Sequence, residues 1–208
     1  MAGFTSSDKN GILSKMLSAV IENKQEIRTK LLAKLLSLTK EELKRRSLNV
    51  EKRLSSLPIY KRAKVVMVYC PLKGEVDILE MVRRDLGQKR FCFPVVDLIK
   101  KNLEAFEIKN LEEDFVPGSY GIREPDTKKS KKVDVNEIEM VVVPALAFDR
   151  HKNRLGRGKG FYDRFLKNLN PLCKKVGIAF EFQVLDDLPT HPSMDEKVDL
   201  IVSETFSI

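Results

Sequence analysis

Apolar residues recur at helical spacing over residues 8–37, with Leu13, Leu17 and Ile21 followed by Ile27, Leu31 and Leu35, and predict one long helix. Thr39 and Glu42 have capping-box spacing for a second helix running toward Leu54, which Ser55, Ser56 and Pro58 bring to an end. The pattern changes at Lys64. Residues 65–69 form a short β-branched run, as expected of a strand buried on both faces. A helix over residues 76–86 ends at Gly87, and further strands are predicted at residues 91–94, 141–143, 176–180 and 200–202. Short apolar strands alternating with helices predict an α/β fold, a three-layer sandwich with a mainly parallel central sheet flanked by helices. The polar stretch 110–135, with Pro117, Gly118 and Gly121, reads as an excursion from that sheet. No repeat or strong boundary divides the chain, so residues 1–208 read as a single domain with residues 1–23 as an N-terminal extension.

Composition narrows the partners. A 208-residue chain that is 42% hydrophobic can bury a sizeable core, and its mean hydropathy is −0.26. No apolar run reaches the length of a membrane span, and the N-terminus lacks a signal-peptide pattern. Cys70, Cys92 and Cys173 are isolated and odd in number, and with only His151 and His191 available no zinc spacing emerges. A reduced, cytoplasmic protein without membrane attachment is expected. The net charge of +8 favours anionic partners. Nucleic acid is disfavoured, because aromatic content is 7%, Trp is absent and no recognised binding motif accompanies the charge. The densest basic run, residues 128–132, reads as a solvated loop.

The segment Asn153-Arg154-Leu155-Gly156-Arg157-Gly158-Lys159-Gly160-Phe161-Tyr162-Asp163 carries the strongest chemical signal. Glycines let backbone N–H groups turn toward a ligand, and a following helix adds unpaired N–H groups, so phosphate is a natural guest. Arg157, Lys159 and the trailing Asp163 suit a phosphate accompanied by a divalent metal. The spacing fits neither common phosphate loop. Lys159 is followed by Gly160 rather than Ser or Thr, and Phe161 stands where a dinucleotide fingerprint needs glycine. Ligands of open α/β sheets gather at the carboxyl ends of the strands. That rule would bring together Glu75, the glycine segment, and the stretch from Gln183 through Pro189 to Asp195. Each has a plainer reading: Glu75 as a helix cap, Gln183 as a partner for loop backbone, Asp195 as a surface charge.

The ordered blocks together resemble the 5-formyltetrahydrofolate cyclo-ligase family. They are Val143-Pro144-Ala145-Leu146-Ala147-Phe148-Asp149 with the Arg154–Asp163 segment, Lys24-Gln25-Glu26-Ile27-Arg28, Gly74-Glu75-Val76-Asp77, Gly121-Ile122-Arg123-Glu124-Pro125, Ala179-Phe180-Glu181-Phe182-Gln183, and Asp195-Glu196-Lys197-Val198-Asp199. The resemblance implies ATP-dependent conversion of 5-formyltetrahydrofolate to 5,10-methenyltetrahydrofolate, with release of ADP and phosphate. It implies that ATP is bound by Lys24, Arg28, Arg154, Leu155, Gly156, Arg157, Gly158, Lys159, Gly160, Phe161 and Tyr162. Lys159, Arg154 and Tyr162 take the catalytic roles, Glu75, Arg157 and Tyr162 meet the folate, and Asp163 and Asp195 hold Mg2+. Asp163 could instead serve the helix dipole, and Tyr162 the core. Two departures stand out: Ile78 replaces a threonine or serine, and Phe161 replaces the first tyrosine of Tyr-Tyr-Asp. A monomer is expected. Rival readings are a noncatalytic relative that binds nucleotide or nucleic acid, and a sugar-phosphate isomerase on a similar sheet.

Overall fold

The computed structural model describes residues 6–191 and 194–208, with side chains from residue 20 onward, and turns the five predicted apolar runs into the parallel part of one seven-stranded sheet. The elements in chain order are α1 (Ser6–Leu36), α2 (Lys40–Ser56), α3 (Pro58–Arg62), β1 (Val65–Met67), α4 (Leu79–Asp85), β2 (Arg90–Asp97), β3 (Asn102–Ile108), β4 (Phe115–Pro117), β5 (Arg123–Pro125), β6 (Lys131–Val133), β7 (Met140–Val143), β8 (Ala147–Asp149), β9 (Arg154–Leu155), α5 (Phe161–Lys167), β10 (Lys174–Ile178), β11 (Val184–Leu185) and β12 (Leu200–Val202). The sheet order is β12-β10-β7-β1-β2-β3-β6, parallel from β12 to β2 and antiparallel at β3 and β6.

Alternation along the central strands builds two cores. Met140 and Val142 of β7 join Val66, Phe91 and Phe93 beneath Leu35, Val50, Leu54, Tyr60, Met81 and Val82, which come from α1, α2, α3 and α4. Val141 and Val143 face the other way, with Met67, Ile201 and the α5 residues Phe165 and Leu166. Burying each such side chain contributes roughly 1.5–3 kcal/mol against leaving it exposed. Both faces are therefore covered, which makes the three layers expected of the apolar runs.

Several local expectations are corrected. The predicted strand at 65–69 ends at Met67, although Val68 and Tyr69 remain buried. The helix predicted from residue 76 starts at Leu79, because Val76 and Ile78 are buried ahead of it and Asp77 Oδ1 accepts the Leu79 N–H at 2.9 Å. Ile78 thus fills the core and stands at the N-cap of α4 without a side-chain cap bond. Pro58 ends one helix and also begins α3 near its N-terminus, where a missing N–H costs nothing. Thr39 caps α2 by accepting the Glu42 N–H at 3.1 Å, while the Glu42 carboxylate turns to Arg46. Residues 6–23 continue the first helix, residues 1–5 of the expected extension lie outside the described residues, and Ile21 is exposed rather than facing a core. The polar excursion folds into the β4–β5 hairpin and the edge strand β6. Lys131 and Lys132 of the basic run belong to that edge strand, and Lys132 pairs with Glu104 at 2.8 Å. Cys70, Cys92 and Cys173 are free thiols, and among the described residues no helix is long and apolar enough to cross a membrane.

Candidate functional site

The glycine segment leaves the core from a turn built by a single buried carboxylate. Asp149, fully buried at the end of β8, accepts the N–H groups of His151 and Asn153, the Asn153 amide, and the Leu188 N–H, at 2.7–3.0 Å. Four bonds to one side chain fix both the β8–β9 turn and the Leu188 loop. Asp149 was visible in the sequence as the end of an apolar run, with Asn153 four residues on, but spacing alone gave it no role.

Beyond β9 the chain follows Arg154 closely. A Cβ at Gly156 would lie 2.7 Å from Arg154 Nη1, so glycine is what lets the guanidinium rest against the backbone. Gly158 and Gly160 have φ of 93° and 67°, left-handed values that other side chains rarely adopt. Gly160 then starts α5. This helix has only seven residues, so the predicted help of a helix N-terminus is small and the cradle relies on its cations.

Three cation–carboxylate pairs surround the loop. Arg154 Nη2 meets Asp163 Oδ1 at 2.6 Å, Arg157 bonds Glu75 Oε1 through Nε and Nη2 at 3.0 and 2.9 Å, and Lys24 Nζ pairs with Asp195 Oδ2. Arg28 reaches the same loop by donating from Nε to the Gly156 carbonyl at 3.0 Å. Burial holds the Arg28 pKa below the ordinary guanidinium value, against the opposing pull of Asp195. Four residues apart on α1, Arg28 thus reaches the glycine loop and Lys24 reaches Asp195. Lys159 is exposed, has no carboxylate partner among the described residues, and lies 5.6 Å from the Tyr120 ring centroid.

The plainer readings sort differently. Gln183 is buried and structural: its amide donates to the Ala145 and Leu146 carbonyls, and its oxygen accepts the Phe180 N–H. Glu75 caps no helix; its second oxygen accepts the Leu72 N–H at 2.9 Å. Tyr162 packs against the second core and lies under the Arg154 guanidinium at 5.7 Å. Burial, then the charge of Glu75, pushes the Tyr162 hydroxyl pKa up, with Arg154 opposing. Phe161 packs partly on the same core and faces Tyr120 and Arg164. Leu155 is buried in a small cluster with Leu31, Ala147 and Leu188.

The donor set can be tested against a phosphate and a divalent cation. Arg154 Nε is buried with no hydrogen-bond partner among the described residues, an orphan donor beside the glycine loop of the kind an anion satisfies. Asp163 and Asp195 are partly exposed carboxylates, oxygen ligands that suit a hard cation. Asp163 Oδ1 already accepts from Arg154 and the Glu196 N–H, and Asp195 Oδ2 from Lys24 and the His191 N–H. Among the described residues no group of three or more His, Cys, Asp or Glu gathers around a common point. Two partly exposed carboxylates in place of a closed protein cage suit Mg2+, which keeps several waters when bound.

Residues 20–204 match the model of the 5-formyltetrahydrofolate cyclo-ligase family. The chain is 29% identical over 172 residues to the 5-formyltetrahydrofolate cyclo-ligase of Haemophilus influenzae, covering 82% of this chain and 92% of that one. It is 26% identical over 201 residues to the mouse (Mus musculus) enzyme of the same name, covering 90% and 98%. The NMR structure of Aquifex aeolicus 5,10-methenyltetrahydrofolate synthetase superposes with a TM-score of 0.77 at 36% identity, covering 88% of this chain and 91% of the other.

Proposed function

Because the chain belongs to the 5-formyltetrahydrofolate cyclo-ligase family, we propose that it uses ATP to close the 5,10-methenyl ring of 5-formyltetrahydrofolate, releasing ADP and phosphate. The observation that carries this reading is the ring of ion pairs joining four distant segments: Lys24–Asp195, Arg154–Asp163 and Arg157–Glu75 around one glycine loop. A site that must receive a polyphosphate needs cations, and the same site before binding must neutralise them.

The chemistry follows from the substrate. Nitrogen donation makes a formamide carbon a poor electrophile. The formyl oxygen attacks the γ-phosphorus, the bond to the bridging oxygen breaks, and ADP leaves. The N10 lone pair then adds to the activated carbon. The carbon–oxygen bond breaks with departure of phosphate, N10 loses its proton, and a methenyl bridge between N5 and N10 remains. No nucleophilic Ser or Cys is required, and the protein's work is positioning and charge neutralisation. Lys159 and Arg154 serve the transferred phosphoryl group, with Lys24, Arg28, Arg157 and the backbone of Gly156, Gly158 and Gly160 along the phosphates. Leu155, Phe161 and Tyr162 complete the nucleotide contacts, and Tyr162 also meets the folate. Glu75 accepts hydrogen bonds from pterin N–H groups. Asp163 and Asp195 would hold Mg2+, which supplies charge neutralisation on the phosphates when bound.

On ATP binding the cations of these pairs would turn from carboxylates to phosphates, leaving Asp163 and Asp195 as the residues that would hold Mg2+. The three free thiols support a reducing compartment such as the cytoplasm. The assay follows methenyltetrahydrofolate absorbance and ADP release together, with and without ATP and Mg2+. Both products should appear in equal amounts and only with Mg-ATP. Folded protein that binds nucleotide yet forms neither product would defeat the proposal, as would ring closure without ADP.

A further inference from the structure

The β2–β3 hairpin outruns the sheet that carries it. β1 pairs with β2 only at residues 90–92, whereas β2 and β3 stay paired from Phe91 and Ile108 out to Asp97 and Asn102. The free half projects past the carboxyl end of β1, the edge where ligands of such sheets gather. Val96 and Leu103 pack it onto the second core, and Asp97 Oδ1 accepts the Ile99 and Lys100 N–H groups at 3.0 and 2.9 Å to fix its tip. Lys101 at that tip has φ 51°, a left-handed value uncommon for a residue with a long side chain. Backbone strain of this kind persists where the surroundings hold it in place.

Arg164 of α5 joins this tip to the glycine loop. Its Nε donates to the Lys101 carbonyl, 63 residues away in the chain, and its Nη2 donates to the Lys159 carbonyl at 3.0 Å. The guanidinium carbon lies 5.3 Å from the Phe161 ring centroid. A Cβ at Gly160 would stand 2.8 Å from Arg164 Nη1, so any side chain there would push the guanidinium aside. Gly160, with φ 67°, thus serves the reach of Arg164 as well as the turn.

The loop needs such an anchor. Lys159 stands between Gly158 and Gly160, the two left-handed residues of the segment, and its side chain is exposed. A residue flanked by glycines loses the most backbone freedom when it is fixed, and a displacement of about 1 Å in a positioning group can cost on the order of a hundredfold in rate. A guanidinium answers that need, because its planar fork carries several donors in fixed directions.

We propose that Arg164 is a positioning residue: by bridging the Lys159 and Lys101 carbonyls it anchors the glycine loop to the β2–β3 hairpin and holds Lys159 ready for the phosphates of ATP. This rests on the cyclo-ligase reading above, in its assignment of Lys159. Arg164 acts through Lys159 and touches neither substrate.

A double-mutant cycle on Arg164 and Lys159 tests this, read as the Kd for Mg-ATP in calorimetric titration and as the ATP KM in steady-state kinetics. Arg164→Ala should weaken ATP binding about three- to tenfold, the scale of one or two hydrogen bonds, and leave the folate Kd unchanged. In a Lys159→Ala background the same substitution should change the ATP Kd by less than about twofold, because the side chain it positions is gone. Arg164→Lys should behave like Arg164→Ala, since one ammonium lacks the fork that spans both carbonyls. Lys101→Val, a β-branched residue that resists positive φ, should reproduce part of the loss from the other end of the bridge. Arg164 is exposed, so thermal midpoints should stay near that of the wild type; should Arg164→Ala melt early, Lys101→Val carries the same cycle. Losses that multiply in the double variant overturn the inference, as do unchanged ATP binding in Arg164→Ala and full ATP affinity in Arg164→Lys. If the wild-type protein binds Mg-ATP yet forms no methenyl product, the cyclo-ligase reading fails while the titrations still judge the bridge. Wild-type protein that binds no Mg-ATP sinks both.

Discussion

The two arginine–carboxylate pairs beside the glycine loop have the same chemistry and opposite burial. In Arg154–Asp163 the cation is the hidden member, its side chain 3% exposed against 20% for the acid. In Arg157–Glu75 the acid is hidden, at 8%, and the cation is 35% exposed. The hidden partner is held by its surroundings and the exposed one can leave at low cost, because water replaces what it loses. Under the proposed function, Arg154 would be a fixed charge for a phosphate and Asp163 the member able to turn toward a metal. Glu75 would be a fixed acceptor for a substrate N–H and Arg157 the member able to swing onto a phosphate. The proposal therefore assigns the rigid cation to the nucleotide side and the rigid anion to the folate side.

The sharpest way to break that division is to remove the exposed acid from one pair and the charge of the hidden acid from the other. Asp163→Ala orphans a buried guanidinium and should destabilise the protein by about 3–5 kcal/mol. Glu75→Gln leaves a half-exposed arginine that water can solvate, and should cost less than ~1 kcal/mol. Urea unfolding of both variants at neutral pH reads the difference, and equal losses would refute the comparison. Next in size is a kinetic split. Lys159→Ala should raise the ATP KM by about ten- to a hundredfold, the worth of a charge-assisted bond of roughly 1.5–3 kcal/mol. Glu75→Ala should raise the folate KM on a similar scale. Loss of ATP affinity in both variants, with folate affinity intact, contradicts the assignment.

Legibility in the sequence followed burial. Residues 65–67, 140–143, 176–178 and 200–202 carry no charged or polar side chain because these stretches are covered on both faces, and such a run is easy to read. Strand β3 went unread although Leu103, Ala105 and Ile108 are buried, because Phe106 breaks the alternation and Glu104 and Glu107 sit between. Strands β4, β5 and β6 are three residues each, too short for any periodicity to register. In the site, Lys24, Arg28, Glu75, Asp163 and Asp195 were reached through ordered blocks rather than from spacing alone, and the fold ties Arg28, Glu75 and Asp163 to the glycine segment and Lys24 to Asp195. Asp149 and Tyr120 were missed for opposite reasons. The work of Asp149 is done by backbone N–H groups that a sequence does not display, and Tyr120 owes its position to a hairpin hidden in a polar stretch.

A third acid extends the comparison and gives the smallest effect. Glu124 is as buried as Glu75, each residue 8% exposed, but among the described residues it has no cation partner. Its side chain accepts a long 3.4 Å bond from the Val96 N–H. Burial raises its pKa above the ordinary 4.5, and backbone bonds from Val96 and Ser119 offset only part of that shift. The native protein therefore holds this proton more tightly than the unfolded chain does. Its favourable contribution is complete below the unfolded pKa and is lost as pH rises through the higher native value. Glu124→Gln keeps the shape and cannot ionise. Relative to wild type it should be neutral near pH 4 and more stable above the native pKa. Paired thermal melts across that window isolate the effect, since every other titrating group is common to both proteins. A gain that does not depend on pH would mean that shape rather than charge sets the cost at this site, and that a buried acid here needs no cation to balance it.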